Sequence, residues 1–284
     1  MSGIRVVAHP DARAFLRRAE GWLMLREDEN NLPLSLAGAL GDAPPLTGEL
    51  GYLFATVEVD GEVAGCAFRP PPHKLCLTEM PPEAAEGVVK AMAERYSWLP
   101  GVRGPVEATR AVAAAWGRSK RVVMRPLSPH RMYRLDHVTF PEGVKGCLRR
   151  AVPDDLPVVH AWGEAFAEDA GAAFRTTTDG RVDWVEWGDL WLWEDDACPV
   201  CMAVAAGRTR HGVRIGYVFT PRDRRGRGYA GALTAALSQR MLDEGARFCV
   251  LYTDLANPTS NALYPRVGYR PLRDELEFEF VTGA

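Results

Sequence analysis

The most constraining feature of this sequence is a glycine- and arginine-rich loop that joins a strand-like run to a helical run. The apolar stretch from Ile215 to Phe219 predicts a strand. Gly226 and Gly228 stand near the end of the loop, where small residues let backbone N–H groups approach a ligand closely. A helix N-terminus carries partial positive charge, so the segment predicts a phosphate site. The helix is indicated by apolar residues at spacings of four: Leu233, Leu237 and Met241.

The arginines of this loop contrast with the charge of the whole chain. Seven arginines and one acid, Asp223, lie between residues 208 and 227, whereas the 284-residue chain has a formal net charge of −3. No global field attracts nucleic acid or an anionic membrane, and we expect neither partner. A nucleic-acid site confined to the loop is disfavoured because few aromatic residues interleave the arginines. The simplest competing interpretation is a solvated arginine loop ahead of an ordinary helix.

The length of the chain predicts two domains, since a domain commonly has roughly 150 residues. The stretch 136–145 contains Pro141-Glu-Gly143 and is the best candidate for the boundary, which gives domains 1–140 and 141–284. Strand-like and helical runs alternate in both halves, so the expected fold class is α/β with a mixed sheet.

Two local patterns predict β-structure. Asp60-Gly61 separates two strand-like runs, and such a pair indicates a hairpin. At the end of the chain, the runs Tyr269–Leu272 and Leu276–Val281 are expected to form an antiparallel pair.

Six cysteines are scattered over a chain long enough to build its own apolar core, so we expect no disulfide framework. The N-terminal residues lack the apolar run of a secretory signal, and a cytoplasmic location is the expectation. Cys198-Pro-Val-Cys201 suggests zinc or redox chemistry. Because no second Cys or His pair lies nearby and the motif leads into a strand, two ordinary cysteines are favoured and no metal is expected.

The loop also satisfies a dinucleotide-binding pattern, Gly226-x-Gly228-x-x-Gly231, with Asp254 as a ribose-binding acid. That pattern belongs in the tight turn directly after a strand, with most of a doubly wound sheet still to come. Here Pro221–Arg225 intervenes, and only 53 residues follow Gly231. The context therefore disfavours a dinucleotide site.

Two motifs, in this order, resemble the GNAT superfamily of acyl-CoA-dependent N-acyltransferases. The first is Arg225-x-x-Gly228-x-Ala230, and the second is Asn257 followed seven residues later by Tyr264 and then by Gly268-Tyr269. The resemblance is firm from about residue 147 to residue 280 and implies a GNAT-like fold in the C-terminal domain. The layout of the N-terminal half implies a second, degenerate GNAT-like domain without the cofactor loop.

The resemblance implies an N-acetyltransferase with acetyl-CoA as co-substrate, which passes its acetyl group by direct attack to a primary amine. The acceptor would be a small-molecule or peptide amine, and a homodimer is a further expectation. The alternative is a non-catalytic acyl-CoA-binding or regulatory module. The residues implied to bind acetyl-CoA are Val218, Phe219 and Thr220 along its arm, the backbone of Arg225, Gly226, Arg227, Gly228, Tyr229 and Ala230 around its pyrophosphate, and Asn257.

By its position in the second motif, Tyr264 is the general acid for the departing thiolate, since a phenol has a pKa of about 10. The alternative is a tyrosine packed against the sheet. Asn257 contacts the cofactor arm or caps the following helix, and the two roles are compatible. Ribose phosphate would be bound by one of three arginines: Arg222, Arg224 or Arg227.

The strand before the loop carries no acid that could serve as the base. The base is therefore sought among the acids expected near the acceptor cleft, each of which could equally be a solvated helix residue: Glu164, Glu168, Asp183 and Glu186. Four tryptophans either line an acceptor pocket or pack alternately in the core: Trp184, Trp187, Trp191 and Trp193.

Overall fold

The computed structural model describes residues 3–41, 51–170 and 183–282. The chain forms two compact units. The first unit comprises Met1–Met132, Thr253–Ala256 and Leu272–Ala284, and the second comprises Tyr133–Tyr252 and Asn257–Pro271. The C-terminal strand pairs within the first unit, and the boundary between residues 140 and 141 stays a prediction.

The helices of the first unit are α1 (Ala12–Leu23), α2 (Asn31–Leu40), α3 (Ala85–Ala93) and α4 (Val106–Lys120). Its strands are β1 (Ile4–His9), β2 (Leu53–Val59), β3 (Glu62–Arg69), β4 (Leu75–Leu77), β5 (Gly101–Pro105), β6 (Val122–Pro126) and most of β13 (Arg270–Thr282). They follow the order β1-β2-β3-β4-β5-β13, and β6 also pairs with β13. The β4–β5 pair is parallel and the other described pairs of this unit are antiparallel.

The hairpin predicted at Asp60-Gly61 is confirmed. Val59 of β2 faces Glu62 of β3, and only Asp60 and Gly61 lie between them. Their φ angles are +51° and +89°. Two successive positive φ angles form the two-residue turn that Asp-Gly favours.

The chain ends in one continuous strand, β13, so the predicted antiparallel pair is wrong. The charged residues that interrupt the apolar pattern are paired within the first unit rather than turned out to solvent. Arg273 donates to Glu275 at 2.6 Å, and Arg103 donates to the same carboxylate at 3.1 Å. Burial alone would raise the pKa of Glu275, but these two arginines hold it below its ordinary value. The strand therefore continues through its charged middle.

The helices of the second unit are α5 (Leu156–Ala170), α6 (Tyr229–Asp243) and α7 (Pro258–Val267). Its strands are β8 (Cys147–Arg150), β9 (Leu190–Asp195), β10 (Cys198–Ala206), β11 (Gly212–Phe219), β12 (Phe248–Asp254) and the end of β7 (His130–Leu135). Strands β8 to β12 are neighbours in chain order. The β11–β12 pair is parallel, and the pairs from β8 to β11 are antiparallel.

Two clusters of buried side chains lie on the two sides of these strands. On the α6 face, Leu233 of α6 and Tyr264 of α7 share a cluster with Ile215 of β11. On the α5 face, Val159 of α5 shares a cluster with Phe219 of β11. The face to which a strand residue points therefore decides which helix it can meet.

None of the helices in the described ranges is both long enough and apolar enough to cross a membrane.

Candidate functional site

β11 contains a bulge near its end. On β10, Met202 pairs with Phe219 and Val204 pairs with Gly216, so β11 has one residue more than β10 between these pairs. Tyr217 lies inside this interval with φ of +56°, a left-handed conformation that is rare for a bulky side chain. Bulges bend a strand, re-aim its side chains and are common beside functional sites.

β11 and β12 are paired only where both strands begin. In the described part of the second unit, residues 212–214 of β11 pair in parallel with residues 248–250 of β12. The later part of β11 lies beyond this register, and an extended ligand that adds to a strand edge could approach it there. The implied arm-binding residues Val218 and Phe219 lie on this stretch, and Thr220 follows it directly.

The loop after β11 contains two glycines in the left-handed region. Gly226 has φ of +78° and Gly228 has φ of +84°, angles that glycine adopts without steric cost. A Cβ placed on Gly226 meets nothing within 4 Å, whereas one on Gly228 lies 2.8 Å from Cγ2 of Val144. The first position is open to an incoming group, and the second is closed by packing.

Helix α6 begins at Tyr229, directly after Gly228, and no side chain caps its N-terminus. The first N–H groups of a helix have no partner inside the helix. Those of Tyr229, Ala230 and Gly231 therefore lie at the positive end of the helix dipole and are suited to an anion. The residues implied around the pyrophosphate form one continuous loop and helix start.

The side chain of Arg225 braces this loop. Its Nε donates to the carbonyl oxygen of Thr220 at 2.9 Å, and its guanidinium carbon lies 5.8 Å from the ring centre of Phe219. Its Nη2 also donates to the carboxylate of Asp169, near the end of α5. Arg225 thus ties the beginning of the loop to α5.

Asp169 binds two arginines of the loop. Arg222 donates to its Oδ1 at 2.8 Å, and Arg225 donates to its other oxygen. These hydrogen bonds hold the pKa of Asp169 below its ordinary value, and the bond from Arg222 contributes most. Asp169 could not be identified from the sequence, because its partners are 53 and 56 residues away along the chain.

Each arginine considered for the ribose phosphate has a protein partner. Arg222 donates to Asp169 of α5, Arg224 lies 3.3 Å from Asp223, and Arg227 lies beside the hydroxyl of Tyr229. The loop is therefore less positive than its number of arginines suggests.

Tyr264 lies on α7 and is buried on the α6 face. Its ring centre is 6.2 Å from that of Tyr133 and 5.9 Å from that of Tyr269. Burial raises the pKa of its hydroxyl, and the nearby thiol of Cys201 adds to the rise. The hydroxyl therefore stays protonated and can donate a proton, but its raised pKa makes it a weaker acid than a solvated phenol. The packing is compatible with both interpretations of Tyr264, as an acid and as a core residue.

The two cysteines of the Cys-x-x-Cys segment occupy different environments. Cys198 is exposed, whereas Cys201 is buried, and both are free thiols. Thr220 donates from its hydroxyl to Sγ of Cys201 at 3.1 Å, and burial raises the pKa of this thiol to about 12. Such a thiol stays protonated and unreactive at neutral pH. Within the described ranges, no group of three or more His, Cys, Asp or Glu residues could hold a metal ion.

Asn257 is the N-cap of α7. Its side-chain oxygen accepts from the backbone N–H of Ser260 at 3.1 Å, and its carbonyl oxygen accepts from Nδ2 of Asn261 at 2.8 Å. The structure thus shows the capping role that the sequence suggests. The contact with a cofactor arm stays a prediction.

The four acids considered for the base lie mostly at the surface. Asp183 is half-buried, and the other three are exposed: Glu164, Glu168 and Glu186. Exposure favours the interpretation of these three as solvated helix residues.

The four tryptophans divide between core and surface. Trp191 and Trp193 are buried in β9, and Trp193 donates from Nε1 to the carbonyl oxygen of Lys145 at 2.8 Å. Trp187 is 69% exposed. Trp184 is half-buried and contacts Tyr217 of the bulge, with ring centres 4.9 Å apart. Trp184 is therefore the tryptophan of this set that contacts the bulge of β11.

Sequence comparison finds one family. Residues 159–269 match the model of the family described as the Acetyltransferase (GNAT) family. The match covers the loop, α6 and α7. No curated protein gives a significant match.

Solved structures resemble the chain over its whole length at low sequence identity. A Drosophila protein has a TM-score of 0.70 at 14% identity, covering 99% of this chain and 100% of its own. A GCN5-related N-acetyltransferase from Sphaerobacter thermophilus has a TM-score of 0.63 at 19% identity. The match covers 99% of this chain and 97% of that protein. A tandem GNAT protein from the clavulanic acid biosynthesis pathway has a TM-score of 0.55 at 16% identity, covering 98% of each chain. At such identities the similarity shows the fold alone. The predicted α/β fold class is confirmed, and the likeness is consistent with two GNAT-like domains.

Proposed function

We propose that the chain, whose residues 159–269 match the model of the GNAT acetyltransferase family, transfers the acetyl group of acetyl-CoA to a primary amine. The acceptor is a small-molecule or peptide amine. The observation that carries this proposal is the sequence of three features along one stretch of chain. The part of β11 beyond its register with β12 is followed by an open glycine loop and then by a helix start that no side chain caps.

These features fit the parts of acetyl-CoA in order. The pantetheine arm has amide groups that can pair with the main chain of β11 beyond residue 214, as an added strand would. The pyrophosphate needs N–H donors at a place that an anion can approach, and the open position at Gly226 with the first turn of α6 provides both. Arg225 and Asp169 hold the loop between these two parts.

The proposed reaction is a direct attack. The amine nitrogen forms a bond with the thioester carbonyl carbon, the C–S bond breaks, and the thiolate leaves with the electron pair of that bond. The amine loses a proton to solvent or to a base, and Tyr264 donates a proton to the thiolate. Because burial keeps Tyr264 protonated, it can serve as an acid at any pH at which a neutral amine is available.

Binding of acetyl-CoA is tested by its effect on the melting temperature. We expect acetyl-CoA to raise the melting temperature of the wild type, since a ligand that binds only the folded state stabilises it. Gly226→Asp should abolish the rise by placing a carboxylate at the open position of the loop. Gly226→Asn is the matched control, because both residues tolerate positive φ and only Asp carries a charge. If neither acetyl-CoA nor other acyl-CoAs shift the melting temperature of the wild type, the proposal fails.

The alternative, a non-catalytic acyl-CoA-binding module, predicts the same rise in melting temperature. It differs in predicting no thiol release with any amine and no effect of Tyr264→Phe. Thiol release therefore separates the two functions.

A further inference from the structure

The bulge in β11 changes the face on which Tyr217 packs. Side chains two residues apart on a strand normally lie on the same face. Ile215, however, is buried on the α6 face, whereas Tyr217 packs on the α5 face. Val218 packs on the α6 face, and Phe219 lies on the α5 face. The extra residue of the bulge thus directs both aromatic side chains, Tyr217 and Phe219, toward α5.

The backbone of Tyr217 has the conformation of a glycine rather than that of a tyrosine. Its φ of +56° is strained for a large side chain, and glycine would adopt it freely. Strained residues of this kind cluster at ligand-binding positions, where the surrounding structure holds them. The tyrosine at this position therefore points to a role for its ring.

Five aromatic rings meet where the bulge directs these side chains. The ring centre of Tyr217 lies 4.2 Å from that of Phe166 and 4.9 Å from that of Trp184. The ring of Phe219 lies 6.2 Å from Trp162 and 6.4 Å from Phe166. Phe219 is buried, but the other four rings are only partly buried. We call these five residues the aromatic wall.

The aromatic wall adjoins the main chain that the proposed function assigns to acetyl-CoA. Tyr217 and Phe219 flank Val218 on the part of β11 beyond its register with β12. The rings extend from this stretch to α5 through Trp162 and Phe166. A molecule against the partly exposed rings would therefore lie beside the strand along which the acyl group is carried.

We propose that the aromatic wall is the acceptor subsite and that it selects primary amines bearing an aromatic group. This inference rests on the proposed acetyl transfer. Aromatic rings bind other rings through offset or edge-to-face contacts in addition to apolar burial. Their faces also attract the ammonium form of an amine before it loses its proton. Polycationic amines are disfavoured, because the arginines of the adjacent loop outnumber the acids that bind them.

The test compares acceptors that differ only in the group attached to the amine. We measure kcat/KM for acetyl transfer to 2-phenylethylamine, n-butylamine and spermidine. For the wild type we expect 2-phenylethylamine to exceed each of the other two by at least about tenfold, the range expected for a pocket that fits one apolar group. Equal values for 2-phenylethylamine and n-butylamine, or a preference for spermidine, would overturn the proposal.

Variants of Tyr217 test whether the aromatic wall causes the preference for 2-phenylethylamine. Tyr217→Gly removes the ring and relieves the strained φ, so the bulge should persist and the preference should fall below about threefold. Tyr217→Phe keeps the ring and should keep the preference. Trp187→Ala is the matched control, because Trp187 is exposed near Trp184 and lies outside the wall. An undiminished preference in Tyr217→Gly would contradict the role of Tyr217.

A binding measurement separates failure of this inference from failure of the proposed function. Saturable quenching of tryptophan fluorescence by 2-phenylethylamine, in the presence of CoA, needs no catalysis. We expect it in the wild type and expect a loss in Tyr217→Gly. Thiol release without this binding would overturn the acceptor subsite alone, whereas absence of any acyl-CoA effect on the melting temperature would overturn the proposed function itself.

Discussion

Nε of Arg225 donates to the carbonyl oxygen of Thr220 at 2.9 Å, so a side chain of the glycine loop is bonded to the residue at the beginning of that loop. The same guanidinium donates to Asp169, which also binds Arg222 at 2.8 Å. The loop is thus closed by its own arginine and held to α5 by one carboxylate. This arrangement makes Asp169 a positioning residue for the loop.

We expect Asp169→Asn to weaken acetyl-CoA binding by about two- to thirtyfold at most, because exposed ion pairs contribute roughly 0.2–1 kcal/mol each and two are lost. Calorimetric titration with acetyl-CoA measures the change in Kd. Asp223→Asn is the control, since Asp223 pairs only with exposed Arg224 at the loop surface. Restored affinity in Asp169→Glu would support positioning by the carboxylate. Unchanged or tighter binding in Asp169→Asn would contradict it.

Gly268 should tolerate no side chain. Its φ is +107°, and a Cβ there would lie 2.5 Å from the carbonyl oxygen of His137. Gly245 has a similar φ of +105° and meets nothing within 4 Å. Backbone strain should lower the unfolding free energy of Gly245→Ala by about 1–3 kcal/mol. Gly268→Ala should suffer the same strain and, in addition, a steric clash that costs about 1–3 kcal/mol more. Urea denaturation measures the unfolding free energy of both variants. Equal losses in the two variants would contradict a clash between residue 268 and the carbonyl oxygen of His137.

Asp155 should contribute to stability in a pH-dependent way. Both of its oxygens accept from Arg149, at 2.7 and 2.9 Å, and one also accepts from the backbone N–H of Val152 at 2.8 Å. The hydrogen bonds from Arg149, above all, hold the pKa of Asp155 below its ordinary value. Asp155→Asn should therefore destabilise the protein by about 1–3 kcal/mol at neutral pH.

The sign of the pH dependence follows from the lowered pKa. The contribution of Asp155 is fully present above the unfolded pKa of about 3.9 and is lost as the pH falls through the lower folded pKa. The difference between wild type and Asp155→Asn should thus shrink as the pH falls below about 4. The neighbouring exposed Asp154 provides the control, and Asp154→Asn should change the unfolding free energy by less than about 0.5 kcal/mol. A difference independent of pH would contradict the ion pair.

Tyr264→Phe should lower kcat by about 100-fold or more without a matching rise in the Kd of acetyl-CoA, since it removes a proton donor and little else. Because burial raises the pKa of Tyr264, the hydroxyl stays protonated through the alkaline range. The wild-type rate should therefore rise with pH as the amine deprotonates and show no fall caused by Tyr264. A kcat close to wild type would assign Tyr264 to packing alone.

The parts of the site that are set by residues adjacent in the sequence could be predicted from the sequence. Paired glycines after a strand and before an apolar helical pattern define the loop, and Asn257 ahead of Pro258 defines a helix cap. The bulge could not be predicted, because Ile215-Gly-Tyr-Val-Phe219 looks like a regular strand and its extra residue is visible only against β10. Asp169 could not be predicted for a similar reason, since its ion pairs span more than 50 residues.

The fold shows the same division between local and distant causes. The hairpin at Asp60-Gly61 follows from the conformations those two residues prefer. The continuity of β13 does not, because the charge of Glu275 is tolerated only where Arg103, far along the chain, reaches it. A charged interruption in an apolar run predicts a turn unless its partners are known.

Release of the CoA thiol from acetyl-CoA, followed across a panel of primary amines, tests the central claim most directly. We predict release that requires both the enzyme and an amine, with the acetylated amine detected by mass spectrometry and with the rate strongly reduced in Tyr264→Phe. Acetyl-CoA binding without amine-dependent thiol release across the whole panel would contradict acetyl transfer and identify the chain as an acyl-CoA-binding module.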